Sequence, residues 1–183
     1  MNQEVVHGIP DKHRIIQEGD IVSLDAGVIY KGYHSDAART HAVGEVSEEA
    51  KKLIQVTKES FFEGIKFAKA GNHLFDISGA IGRYAEERCY GVVRDLCGHG
   101  IGTALHEAPE IPNYEVGRKG VRLRPGMTLA IEPMINIGTH EVDWLDDDWT
   151  VVTRDGSLSA HYENTILITE GEPRILSLTC ENE

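Results

Sequence analysis

Glu132 lies in the middle of Leu129-Ala130-Ile131-Glu132-Pro133-Met134-Ile135, within a near-continuous apolar run over residues 127–137 that reads as a core strand. An unpaired carboxylate in such a strand costs several kcal/mol. A fold that takes this run inside must therefore give Glu132 a cation, an ion-pair partner or several hydrogen-bond donors. Asp25 poses the same problem, because it follows Ile21, Val22 and Leu24 in a run that is apolar on both faces. Glu163 adds a third acid just before Ile166-Leu167-Ile168. For each glutamate the competing reading is a salt-bridged or hydrogen-bonded core acid, and for Asp25 an ordinary strand-end acid.

The surrounding elements are of mixed type. Residues 20–43 read as a β-hairpin, with a two-residue turn at Lys31-Gly32 that sets Tyr30 opposite Tyr33 and Asp25 opposite Ala38. Asp36 then lies diagonal to Asp25 on the same face. Such neighbours have Cβ atoms about 7–8 Å apart, within reach of two metals roughly 3.5–4 Å from one another. A helix is expected from the N-cap Ser47, with Glu48 and Glu49 in its first turn. Its apolar positions are Ala50, Leu53, Ile54, Phe61, Ile65 and Ala68, and Gly71 is expected to close it. A shorter helix is expected over residues 75–88 despite Gly79 and Gly82, then a strand over 91–96. Residues 97–121 lack periodicity and are long for a passive connection, which marks them as a functional loop. Residues 150–169 read as a second hairpin about Asp155-Gly156, a pair suited to a type I′ turn. Strands, two consecutive helices, then more strands indicate an α+β architecture.

Gly98-His99-Gly100-Ile101-Gly102 sets a histidine between glycines, with little bulk beside it and a backbone free to adopt positive φ, so the imidazole is expected to be accessible. A phosphate cradle is disfavoured because no Gly-Lys-Ser/Thr follows. His106, in Leu105-His106-Glu107-Ala108-Pro109, is able to act as an acid, a base or a hydrogen-bond donor. Four carboxylates and one imidazole (Asp25, Asp36, His99, Glu132 and Glu163) make an oxygen-dominated set suited to Mn, Fe, Co or Zn at a dinuclear site.

Composition narrows the alternatives. The 183 residues fit one domain. They carry 18 Lys and Arg against 30 acids, a net charge of −12 that opposes nucleic-acid binding. The odd count of Cys89, Cys97 and Cys180, without C-x-x-C spacing, argues against a disulfide framework or zinc ribbon and favours a reducing cytoplasm. No apolar run approaches the ~18 residues of a membrane span, and residues 1–12 lack a signal-like apolar region.

Five segments, in order, resemble the type I methionine aminopeptidases: Val5-Val6-His7-Gly8-Ile9-Pro10, Leu24-Asp25-Ala26-Gly27, Gly98-His99-Gly100-Ile101-Gly102, Ile131-Glu132-Pro133-Met134 and Ser159-Ala160-His161-Tyr162-Glu163. The resemblance runs from Asn2 to about Leu176. It implies the pita-bread fold, an antiparallel sheet with helices packed on one face. It also implies two divalent ions on Asp25, Asp36, His99, Glu132 and Glu163, with Asp36 and Glu163 bridging. By the same resemblance Glu132 accepts the proton of the attacking water. His7 and His106 contact substrate and intermediate, and Leu105 and Trp149 line the methionine pocket. The implied substrate is the N-terminal methionine of peptides and nascent proteins, met near the ribosome.

The family's catalytic domain carries several tens of residues upstream of the Asn2 to His7 segment, including two helices and a strand. A single catalytic domain over residues 1–183, with part of the N-terminal half of the fold missing, is therefore expected, and with it an exposed apolar sheet face, lower stability or dependence on a partner. Two rival readings share the fold: a prolidase or aminopeptidase P, and a peptide-binding module without catalysis.

Overall fold

The first hairpin forms as the turn chemistry dictates: β2 (Ile21–Tyr30) pairs with β3 (Tyr33–Ala42), Tyr30 opposite Tyr33 and Asp25 opposite Ala38. Lys31 and Gly32 have φ of 50° and 82°, the two positive values that a type I′ turn requires. In the computed structural model, which describes residues 1–178, β1 (Glu4–Val6) precedes this hairpin and the helices α1 (Glu48–Ile65) and α2 (Leu74–Glu86) follow it. Then come β4 (Gly91–Val92), β5 (Gly98–Gly100), β6 (Glu107–Ile111), β7 (Thr128–Ile131) and β8 (Met134–Asn136). The last strands are β9 (Val142–Trp144), β10 (Val151–Thr153), β11 (Ser159–His161), β12 (Asn164–Leu167) and β13 (Arg174–Ile175).

All strand pairings are antiparallel, in four sheets ordered β1-β10-β9, β11-β8-β4, β13-β12-β7-β5-β6 and β2-β3. Side chains alternate along a strand, and that period decides what faces the helices. Leu129 and Ile131 of β7, Tyr162 and Ile166 join Phe61, Ile65, Leu74, Ile77 and Ile81 in one core. Ile135 and Ala160 join Ala50, Leu53, Val56 and Ala85 in a second. Glu132, His161, Glu163 and Thr165 occupy the alternate positions, which point away from the helices.

Ser47 caps α1 by accepting a hydrogen bond from the Ala50 amide at 3.1 Å. The helix ends at Ile65 rather than at Gly71. Lys66 is still right-handed, and Gly71, at φ 94°, serves a later turn in which its amide donates to the Leu123 carbonyl. In α2, Gly82 permits close packing, because a Cβ there would stand 2.8 Å from the Tyr114 Cα.

Four other expectations change. The apolar run over 127–137 is two strands, because Pro133 has no amide to continue the ladder and β7 and β8 enter different sheets. Residues 150–169 form no hairpin, since β10 pairs with β1 and β9 whereas β11 pairs with β8. The Asp155-Gly156 turn has Gly156 as its last residue, closed by its amide on the Thr153 carbonyl, and the Asp155 carboxylate accepts from Thr139 and Ser157 amides. The strand expected over 91–96 stops at Val92, and the stretch 97–121 contains β5 and β6. Cys89 and Cys97 are free thiols, and Cys180 lies outside the described residues. No helix among the described residues is long and apolar enough to cross a membrane.

Candidate metal centre

The break between β7 and β8 faces the break between β11 and β12. Ile131 pairs with Asn164 on one side and Met134 with His161 on the other, leaving Glu132-Pro133 opposite Tyr162-Glu163. The Tyr162 amide donates to the Pro133 carbonyl at 3.2 Å across this gap. Two glutamates thus arrive together where two sheets part. The hairpin docks on the same spot: Ala38 and Glu163 exchange backbone hydrogen bonds at 3.0 and 3.3 Å, and Thr165 Oγ1 accepts from the Asp36 amide and donates to its carbonyl. Because Asp25 opposes Ala38 and Asp36 opposes Gly27, both aspartates are carried to Glu163.

His99 enters from β5, opposite Ala130 of β7. Its Nε2 lies 3.6 Å from Glu132 Oε1. One ligand atom each of Asp36, His99 and Glu163 lies within 4.8 Å of the others. The glycines beside His99 serve close approach rather than positive φ. A Cβ on Gly98 would stand 2.4 Å from the Ala130 carbonyl oxygen, and one on Gly100 would stand 2.3 Å from that of Ala108. Both are extended in β5, and His99 is buried, 8% accessible. Gly100→Ala is expected to destabilise the fold by about 1–3 kcal/mol, since backbone must move to admit the methyl. Chemical denaturation checks this.

Burial and mutual repulsion dominate the electrostatics. Desolvation, then Glu132, Asp36 and Asp25, push the Glu163 carboxyl up to about 10, with Arg39 opposing. Glu163 Oε1 is buried with no hydrogen-bond donor. Asp25 differs from its sequence expectation. It is exposed as a residue, although the strand period places it on the face of Ala38 and Asp36 and opposite the open face of Leu24 and Val28. Its carboxyl is nevertheless raised, first by desolvation, with Asp36 and Glu132 adding to the shift and His161 and His7 opposing it. Asp36, Glu132 and Glu163 beside the His99 imidazole, with an orphaned buried oxygen on Glu163, fit a divalent-cation site in donor type and charge.

The remaining expected residues surround this cluster. The His106 ring meets the His99 ring edge-on at 4.4 Å. The turn before it is held by the Glu107 carboxylate, which accepts from the Ala104 amide and the Thr103 hydroxyl. Leu105 Cδ1 and Asp36 Oδ1 lie 3.5 and 3.8 Å from where a Gly27 Cβ would be, so Leu105 covers the aspartate end. His7, at φ 59°, packs edge-on against the exposed Trp149 at 6.3 Å. His7, Asp25 and His161 share a cleft of about 510 Å³.

Sequence reasoning missed several supports. Arg39 donates to the Ala38 and Glu163 carbonyls and to Asn164 Oδ1, and its guanidinium lies over the Tyr162 ring at 4.1 Å. Asn113 donates to the Glu132 carbonyl at 3.0 Å. No local pattern marks either. His161 did carry a signal, since it stands two residues before Glu163, the spacing at which side chains of an extended chain share a face.

An α+β fold with a buried carboxylate cluster between its sheets has the donor set of a metal-dependent protein. Residues 1–170 match the profile of Metallopeptidase family M24, and the chain belongs to that family, among its methionine aminopeptidases. It is 59% identical over 181 residues to the methionine aminopeptidase of Clostridium acetobutylicum, covering 99% of this chain and 72% of that relative. The crystal structure of Thermotoga maritima methionine aminopeptidase superposes with a TM-score of 0.95 at 50% identity, covering 97% of this chain and 72% of that one. A prolidase from Pyrococcus furiosus shares the fold more distantly, with a TM-score of 0.68 and 29% identity over 90% of this chain and 43% of its own.

Proposed function

We propose that this chain removes the N-terminal methionine from peptides and nascent proteins, with residues 1–183 acting as one catalytic domain in the cytoplasm, near the ribosome where such substrates emerge. The observation that supports the reading most is that Asp36, His99 and Glu163, from three separate stretches of sequence, each place a ligand atom within 4.8 Å of the others, with Glu132 Oε1 3.6 Å from His99 Nε2. Asp25, Asp36, His99, Glu132 and Glu163 would hold two divalent cations, Co, Mn, Fe or Zn. Such ions, when bound, acidify water and polarise a carbonyl.

The chain's own groups do the rest. Glu132 takes the proton of the attacking water, a role suited to a carboxylate beside the imidazole of His99. His106, fixed edge-on against His99, donates toward the oxygen that gains charge at the scissile carbonyl. His7, held against Trp149, contacts the scissile nitrogen. Leu105 and Trp149 bound the space for the methionine side chain.

The shared fold makes prolidase activity the alternative. Identity of 59% to a methionine aminopeptidase against 29% to a prolidase favours the first. The Mn-loaded chain is expected to cleave Met-Ala faster than Ala-Pro by about 10²-fold or more in kcat/KM, a discrimination that a shaped side-chain pocket can supply. Preference for Ala-Pro in that comparison would overturn the assignment.

A further inference from the structure

Glu132 is bracketed by two imidazoles. Oε1 faces His99 Nε2 at 3.6 Å, and Oε2 faces His161 Nε2 at 3.5 Å. The His161 side chain is 1% accessible, and its Nε2 has no hydrogen-bond partner in the metal-free protein. Its backbone is clamped: Thr40 Oγ1 accepts from the His161 amide at 2.8 Å and donates to the His161 carbonyl at 3.0 Å, and β11 pairs His161 with Met134. The Glu132 carboxylate is an acceptor 3.5 Å from this buried nitrogen, and a hydrogen bond between them would satisfy it.

We propose that His161 is a positioning residue whose Nε2–H holds Glu132 Oε2, so that Oε1 is presented toward the side shared with His99. The proposal rests on the metallopeptidase reading above and adds to it a residue that is neither a ligand nor a contact of the reacting atoms. Asn113 fixes the backbone of Glu132 through its carbonyl but leaves the carboxylate free to turn. Ligating carboxylates are ordinarily oriented by a second hydrogen bond, and loss of that bond typically weakens metal binding about 10- to 100-fold.

The test is Mn²⁺ titration calorimetry without substrate on the full chain, on His161→Gln, which keeps an N–H donor, and on His161→Phe, which fills the volume without one. His161→Phe is expected to bind Mn²⁺ about 10- to 100-fold more weakly, and His161→Gln to recover most of that loss. Equal affinity in the Phe variant would overturn the proposal, as would a Gln variant as weak as Phe, or a change confined to KM for Met-Ala-Ser, which would mark a substrate contact. If His161→Phe does not fold, ¹⁵N spectra of the Zn²⁺-loaded wild type decide: a protonated Nε2 in slow exchange supports the bond, and an unprotonated Nε2 overturns it. A wild-type chain that binds no Mn²⁺ would overturn the metal-site reading, and this proposal with it. Loss of affinity in His161→Phe alone would leave that reading intact.

Discussion

Glu132→Gln is expected to lower kcat for methionine release by about 10²- to 10⁴-fold, the contribution usual for a positioned general base. The amide preserves the volume and leaves an acceptor, so the break between β7 and β8 is retained. What it removes is the capacity to accept the water's proton and one of the charges facing His99. The same substitution removes a carboxylate that raises both Glu163 and Asp25. The metal-free variant should therefore be no less stable than the wild type, and its loss of rate cannot be traced to unfolding. Steady-state kinetics on Met-Ala-Ser, with thermal melts alongside, measure both effects. A variant within tenfold of wild type would remove Glu132 from the chemistry.

Chelation is expected to abolish activity and to change the sign of the pH dependence of stability. Glu163 rises from 4.5 to about 10 in the folded, metal-free chain, so the folded state keeps a proton that the unfolded chain releases. A raised folded value contributes stability that is fully present below 4.5 and is lost as the pH climbs toward 10. Asp25, shifted in the same direction, adds to the trend. Divalent cations reverse it, because binding requires the ionised carboxylates that alkaline pH supplies. At about 100 times its Kd, Mn²⁺ adds about 2.7 kcal/mol, or roughly 5–10 °C for a chain of this size, and the gain should be much smaller at pH 5.5 than at pH 8. Melting curves with and without chelator across that range test this, and Glu163→Gln should flatten the metal-free slope. A Tm of the chelated protein that rises from pH 5.5 to 8 while the Gln variant stays flat would contradict the account.

Local chemistry made the first hairpin legible down to its register, because Lys31-Gly32 admits one turn type and the strand period then fixes which residues face one another. The same reasoning failed at Asp155-Gly156, where the Asp155 carboxylate also accepts from the Thr139 amide, 16 residues away, and the flanking strands enter different sheets. The break at Glu132-Pro133 was hidden because both sides are equally apolar, and only the proline hinted that the ladder ends there. The acids themselves were legible as anomalies in apolar runs. Why they converge was not, since the Ala38–Glu163 pairing joins segments far apart in sequence. The glycines around His99 marked a special place correctly, but for close strand approach rather than φ. Asp25 was expected to be buried, and it is exposed as a residue although it lies on the face of the hairpin that carries Asp36.

Methionine release from Met-Ala-Ser by the Mn-loaded chain, compared with its N-acetylated form, tests the central claim most directly. The account predicts methionine from the free peptide and none from the acetylated one, in step with about two Mn²⁺ bound per chain. Two bound ions with no methionine released from either peptide would contradict it, leaving a metal-binding fold that does not perform the reaction.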